Sequence, residues 1–501
     1  MTAIYDIEAM QSNIESQFSR LFEYVDESID TAELHEVEKF LFQKLQNIGL
    51  SMIEYFLACT GTGYKPGHPP VSDDGKPLEY KGPVKSPYFS IFGELTIERA
   101  RFRTEEGHYY YPLDARLNLP EKKYSYLLQK WLEAGAVETN YQKAVERLNE
   151  IFDFCLFPSM PQRVGLEVSQ HVTAFYEQLP PPDPASEGSH LAVSADGKGV
   201  RMLKSERAAA GQTEDAPKAR LGKGEKRGTK KQATVTADFS FDPVARTPHE
   251  VVQSLLNVPR SQEEKELQTA HNQARAGKNK HLSATLTGKE EAMDALIHRL
   301  KKRDPGGTKP IVALLDGDPS LRRTLEKALD KYKMRPRVDA IILDIIHVAE
   351  YIWEVATALH GERNDARLSW VHEKLLAILE SKVGRVIGGF KQMLTKKSTT
   401  AAQKRVLKKA VTYFENHRDM MDYKTYLEKG YPVATGVVEG ACNSLVKNRM
   451  EQSGMRWSFR GATSILKQRA VRLNGDWNAF WEYYMQSKQD ALYPDSYKLA
   501  A

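Results

Sequence analysis

Leu191-Ala192-Val193-Ser194-Ala195-Asp196-Gly197-Lys198-Gly199-Val200 sets the architecture expected of this chain. An apolar run ends in an aspartate, glycines follow, and Val200-Arg201-Met202-Leu203 resumes an extended pattern. The spacing predicts a strand, a tight turn and a partner strand, with the carboxylate at the strand end. A carboxylate buried there is costly unless a cation compensates it. An aspartate before a glycine is also ordinary turn chemistry. What gives Asp196 weight is a second aspartate and a late glutamate in compatible order.

Downstream, Ala233 to Phe241 reads as another strand, and the basic segment Lys218 to Lys231 lies before it. That segment suits either a solvated loop or a mobile arm on a phosphate backbone. A helix follows around Glu290 to Leu300. Pro310 to Leu315 is a fully apolar strand, as burial on both faces requires. It ends in Asp316-Gly317-Asp318-Pro319, and Pro319 opens a helix to about Lys333. Val338 to Leu343 repeats the pattern and ends in Asp344-Ile345-Ile346-His347. Residues 366–430 hold a helical spacing without a strand. After Tyr431 to Gly436, a last helix begins near Val437 and places Glu439, Asn443 and Lys447 on one face. Basic residues, Arg449 among them, crowd the region that follows.

Upstream, Leu179 to Gly188 is a proline-rich linker and the clearest domain boundary. Residues 121–178 look helical, and two short helices around Pro158-Ser159-Met160-Pro161 suit a helix-turn-helix or two ordinary packed helices. Phe92 to Phe102 and His108 to Pro112 read as a β-hairpin. Residues 61–87 read as loop, and residues 1–60 as helices. Hydrophobic residues make up 41% of the 501 and charged residues 27%, the profile of a folded protein too long for one core. No apolar run reaches the roughly 18 residues of a membrane span. The first ten residues lack a basic leader region. Cys59, Cys155 and Cys442 are too scattered for a disulfide framework or a cysteine zinc site, so a reducing cytoplasm is expected.

Asp196 and Asp316 end two predicted strands, and Glu439 lies on a later helix. Three converging carboxylates cannot all ionise in a dry site without cations. Hard oxygen ligands favour magnesium or manganese. Two such ions, about 3.5–4 Å apart, would clamp the attacking and leaving oxygens of a phosphodiester. Asp344 also ends a buried strand and rivals Asp316 as a ligand.

Asp196-Gly197-Lys198, Leu315-Asp316-Gly317, Asp344-Ile345-Ile346-His347 and Gly436-Val437-Val438-Glu439, in this order around a helical stretch, resemble a bacterial insertion-sequence transposase of the ISKra type. The resemblance covers residues 190–475 well. It implies an α/β, RNase H-like core with an all-helical insertion, preceded by a mainly helical region containing the β-hairpin. The implied division is 1–87, 88–120, 121–178, core 190–360, insertion 361–430 and core 431–501. Asp196 and Asp316 lie 120 residues apart, and Asp316 and Glu439 lie 123 apart. An insertion must fill the second gap.

The resemblance favours Asp316 over Asp344 and makes Asp196, Asp316 and Glu439 the ligands of two Mg2+ or Mn2+ ions. Asp344, His347 and Asn443 would support them. Double-stranded DNA is the implied substrate, with contacts expected from Lys226, Arg227, Lys230, Lys231, Lys447 and Arg449. The implied assembly is a homodimer at synapsis, with no membrane partner. Relatives often carry a cysteine pair in the hairpin, and here Tyr109 to Tyr111 stand in its place. A DNA-binding protein that no longer cuts, and an RNase H-like nuclease, are the competing expectations.

Overall fold

A computed structural model describes residues 6–493 apart from 73–74, 105, 210–229, 258–261, 263–265, 267–268, 270–272, 274–275, 363–364 and 435. The chain forms two compact units, Met1–Glu177 with Gly475–Ala501, and Gln178–Asn474. Among the described residues no helix is long and apolar enough to cross a membrane.

In the first unit, helices Ile7–Ser28 and Leu34–Thr60 form an antiparallel pair. A three-stranded sheet follows in the order β1 (Glu79–Ser90), β2 (Gly93–Arg103), β3 (Tyr109–Tyr110). The expected hairpin of β2 with β3 is present but short. The main partner of β2 is β1, upstream, where a loop was expected, and the returning strand is two residues long. Pro83 and Pro87 hid β1, yet an edge strand tolerates proline because its outer N–H groups need no partner. Tyr111 and Tyr109 lie over the guanidinium groups of Arg99 and Arg101, at 4.2 and 4.8 Å from the ring centroids. The helices Tyr141–Phe152 and Ser159–Val168 are joined by residues 153–158, longer than a typical helix-turn-helix turn. Helix Trp477–Leu492 also belongs to this unit, although the C-terminal region was assigned to the core; it buries Trp477, Phe480, Trp481 and Tyr484.

The second unit is α/β. Its sheet runs β6 (Lys278–Thr285), β5 (Lys230–Phe241), β4 (His190–Arg201), β7 (Ile311–Leu315), β8 (Val338–Leu343). β5 runs antiparallel to both of its neighbours, β6 and β4, and β4, β7 and β8 are parallel. The short strands β7 and β8 follow from their apolar runs; every residue of β7 is buried. β6 escaped the sequence reading because Lys278, Asn279 and Lys280 are polar and exposed, as an edge strand allows.

β4 overturns the predicted turn. It is one twelve-residue strand, paired along its whole length with β5, and Asp196 lies within it opposite Val235. Gly197 and Gly199 serve close packing, not a turn. A Cβ on Gly197 would lie 1.8 Å from the Gln232 side chain, and one on Gly199 would lie 2.7 Å from that of Lys230.

The helices between β8 and Gly436 do not form a separate core. Val371, Leu375, Phe390 and Phe414 belong to the same buried cluster as the strand residues Val312, Leu314 and Ile342. The insertion is thus built onto the sheet, and its stability is tied to that of the strands it covers.

Candidate active site

Ala195 of β4 and Leu315 of β7 are register partners in the parallel pair. Asp196, within β4, and Asp316, just past the end of β7, are the residues that follow them. Both are partly buried. Burial raises the Asp316 pKa above its ordinary value, and the negative charge of Asp196 adds to the rise. The Asp318 N–H, donating to Asp316 Oδ1 at 2.9 Å, opposes it. Asp316 is thus a half-buried carboxylate with a second carboxylate close enough to be felt.

Asp344, the rival, is spent differently. It is fully buried and caps helix Ile345–His360, its Oδ1 accepting from the Ile346 N–H at 2.9 Å. Its Oδ2 is 3.1 Å from His347 Nδ1. That hydrogen bond raises the His347 pKa to about 9 against the opposing effect of burial, with Asp316 contributing. His347 therefore carries a positive charge near neutral pH and faces Asp316 electrostatically. Asp318 caps helix Pro319–Lys331 through Ser320 N and pairs with Lys289.

Sequence reasoning missed three fasteners from the insertion. The Tyr413 hydroxyl donates to the Asp316 carbonyl at 2.8 Å. One turn on, His417 bridges the carbonyls of Gly317, at 2.8 Å, and Tyr413, at 2.7 Å. Tyr423, fully buried, donates to the Leu343 carbonyl at 2.8 Å. The ends of β7 and β8 are thus pinned by helices far along the chain. Gly317 has φ +90°, and a Cβ there would lie 2.8 Å from the Tyr413 hydroxyl, so both the conformation and the space require glycine.

The last helix departs from expectation. Gly436–Ala441 is α-helical and Cys442–Lys447 is a π-helical segment, and the expected shared face points away from the sheet. Glu439, Asn443 and Lys447 all lie on the exposed side. The side toward the sheet carries Val438, Ala441, Cys442, Leu445 and Val446. Cys442, not Glu439, reaches Asp196: its thiol donates to Asp196 Oδ2 at 3.2 Å. Burial and the charge of Asp196 push the Cys442 pKa well up, so it stays a thiol.

Among the described residues no three His, Cys, Asp or Glu side chains gather closely enough to hold a metal ion. The structure brings together two of the three expected ligands. The donor chemistry of that pair, hard oxygens whose negative charge His347 offsets only in part, fits a divalent cation such as magnesium.

The expected DNA contacts divide similarly. Lys226 and Arg227 lie outside the described residues. Lys230 pairs with Glu451 at 2.6 Å, and the Lys231 ammonium lies 4.3 Å from the Phe459 ring centroid. Lys447 is exposed. Arg449 is corrected: it is fully buried, with its guanidinium over Trp457 at 4.8 Å, and cannot meet a phosphate without unpacking. No family model matches this sequence, and no curated protein is significantly similar to it.

Proposed function

We propose that the chain is a metal-dependent transposase that cuts and joins DNA strands, built on an RNase H-like core. The observation that carries the reading is the placement of Asp196 and Asp316, each the residue after the last register pair, Ala195 with Leu315, of the parallel strands β4 and β7 in a β6-β5-β4-β7-β8 sheet. The strand order, the antiparallel triplet and the parallel pair agree with that fold, and the helices covering β7 and β8 agree with the expected insertion.

Asp196 and Asp316 would hold the cation, with Glu439, on the outer face of a helix packed on the sheet, completing its ligands only if that helix rotates. A bound Mg2+ or Mn2+ would supply Lewis-acid activation of a water or 3′-hydroxyl and stabilise the leaving oxygen. The chain's own residues do the positioning. Tyr413 and His417 hold the Asp316–Gly317 backbone, and His347, charged through Asp344, offsets part of the negative charge on Asp316. The exposed Lys447 would meet the phosphate backbone.

The outward Glu439 also favours a second reading, a DNA-binding protein that does not cut. Cleavage of a labelled duplex from the ends of the encoding element, with magnesium or manganese, separates the two. The enzyme reading requires cleavage by the wild type and none by Asp196→Asn or Asp316→Asn, with DNA binding in calcium unchanged. Binding without cleavage by the wild type would support the second reading.

A further inference from the structure

The antiparallel pair Ile7–Ser28 and Leu34–Thr60 carries two apolar stripes where a hairpin needs one. The first is the seam: Ile14 and Leu21 are buried against Ile48, with Leu41 and Tyr55 packed beside them. The second faces outward. Phe18, Phe22 and Ile29 recur at i, i+4 and i+11 on one helix, and Leu45, Met52 and Phe56 at i, i+7 and i+11 on the other. All six are exposed, Phe22 and Ile29 by 70% and 72%. On each helix this stripe is rotated from the seam in the same sense, by roughly 55–70° at about 100° per residue. Because the helices are antiparallel, equal rotations bring both stripes to the same side of the hairpin, as one apolar face.

We propose that this face pairs with the same face of a second copy, through a two-fold axis, into a four-helix arrangement. Charge disfavours two other occupants, DNA and anionic lipid. Residues 6–60 carry eleven Asp and Glu against three Lys and Arg, in a chain whose net charge is +5. Such a surface repels DNA and anionic lipid alike. Self-pairing asks only that the stripe match itself, which an isologous contact provides.

The area suffices. Two helices packed about 10 Å apart along about 33 Å present roughly 650 Å2 each, so a pair would cover roughly 1,300 Å2, within the usual range of about 1,200–2,000 Å2. The inference does not rest on the catalytic reading.

Sedimentation of the full chain, without DNA or divalent metal, over roughly 1–100 µM tests it. A concentration-dependent dimer is expected. Phe22→Asp with Met52→Asp should weaken it at least about tenfold. The neutral pair Phe22→Gln with Phe56→Gln should act in the same direction, and keeps the test intact if the aspartates perturb folding. Raising salt from about 50 mM to about 0.5 M should tighten the dimer, because screening relieves repulsion between acidic hairpins. A monomer at every concentration, with the face covered by another part of the chain or by no partner, would overturn the proposal. So would a dimer indifferent to both substitution pairs, or one that salt weakens.

Discussion

The two faces of the five-stranded sheet carry carboxylates treated in opposite ways. On one face Asp238, fully buried opposite Val193, meets Arg299 at 3.0 Å and Arg303 at 2.9 Å. Arg303 also holds Glu187 at 2.7 Å. Burial alone would raise the Asp238 pKa, yet the cations around it hold it below the usual carboxylate range. On the other face, toward the Gly436–Ala441 helix, Asp196 and Asp316 meet a neutral thiol, backbone N–H groups and one histidine. Asp316 is accordingly pushed up. A compensated buried carboxylate is a structural device, whereas an undercompensated pair on the interior strands β4 and β7 suits a cation from outside. The difference separates scaffold from candidate site without appeal to the likeness in sequence.

The largest expected effect breaks the comparison on the catalytic side. Asp196→Asn and Asp316→Asn should each reduce strand cleavage to background. In metal-free buffer the same variants should melt at or above the wild-type temperature, because each removes one of two repelling charges. A clear loss of metal-free stability in both would show that these carboxylates are structural after all. Asp238→Asn should do the reverse: it strands two arginines and should cost about 3–5 kcal/mol in urea unfolding. A cost under about 1 kcal/mol would erase the distinction.

Much of this sheet was legible because fully buried strands announce themselves as unbroken apolar runs, as Ile311 to Leu315 and Val338 to Leu343 do. What escaped had a physical cause each time. Gly197 and Gly199 read as a turn because glycine serves tight turns and close strand packing alike. β6 and β1 are edge strands, where lysine and proline are tolerated and the apolar signal fades. In the site, Asp196 and Asp316 were legible as acids at strand positions. Cys442 was not, because a cysteine spaced with Val438, Ala441 and Leu445 on the inner face of a helix reads as an ordinary packing residue. Tyr413 and His417 act on backbone carbonyls about a hundred residues away, and nothing in their own neighbourhood marks that role.

Those two fasteners give an intermediate effect. Tyr413→Phe keeps the stack on Tyr351, whose ring centroid is 4.0 Å away, and loses only the bond to the Asp316 carbonyl. Unfolding should show a loss of about 1 kcal/mol. Cleavage should fall further than that loss of folded protein explains, since Asp316 would be less firmly placed. Equal cleavage by Tyr413→Phe and the wild type, measured well below the melting temperature, would free the insertion of any part in the site.

The smallest effect is a contrast in sign between two histidines. His281 pairs with Asp238 across β6 and β5, and burial, with Arg299 nearby, drives its pKa down to about 3. The unfolded chain binds a proton near pH 6.5 that the native state refuses. His281 therefore costs nothing above that pH and erodes stability as pH falls from 6.5 toward 3, by at most about 1.4 kcal/mol per pH unit. His347 runs the other way. Its pKa is raised to about 9, so its contribution is complete below pH 6.5 and is lost as pH rises through 9. Urea unfolding of His281→Asn should show a flatter slope between pH 6.5 and 5 than the wild type. His347→Asn should show a flatter slope between pH 7 and 9, leaving the acid limb alone. Were both substitutions to flatten the same limb, the two faces would not differ in how they hold charge, and the case for an undercompensated site beside Asp316 would weaken accordingly.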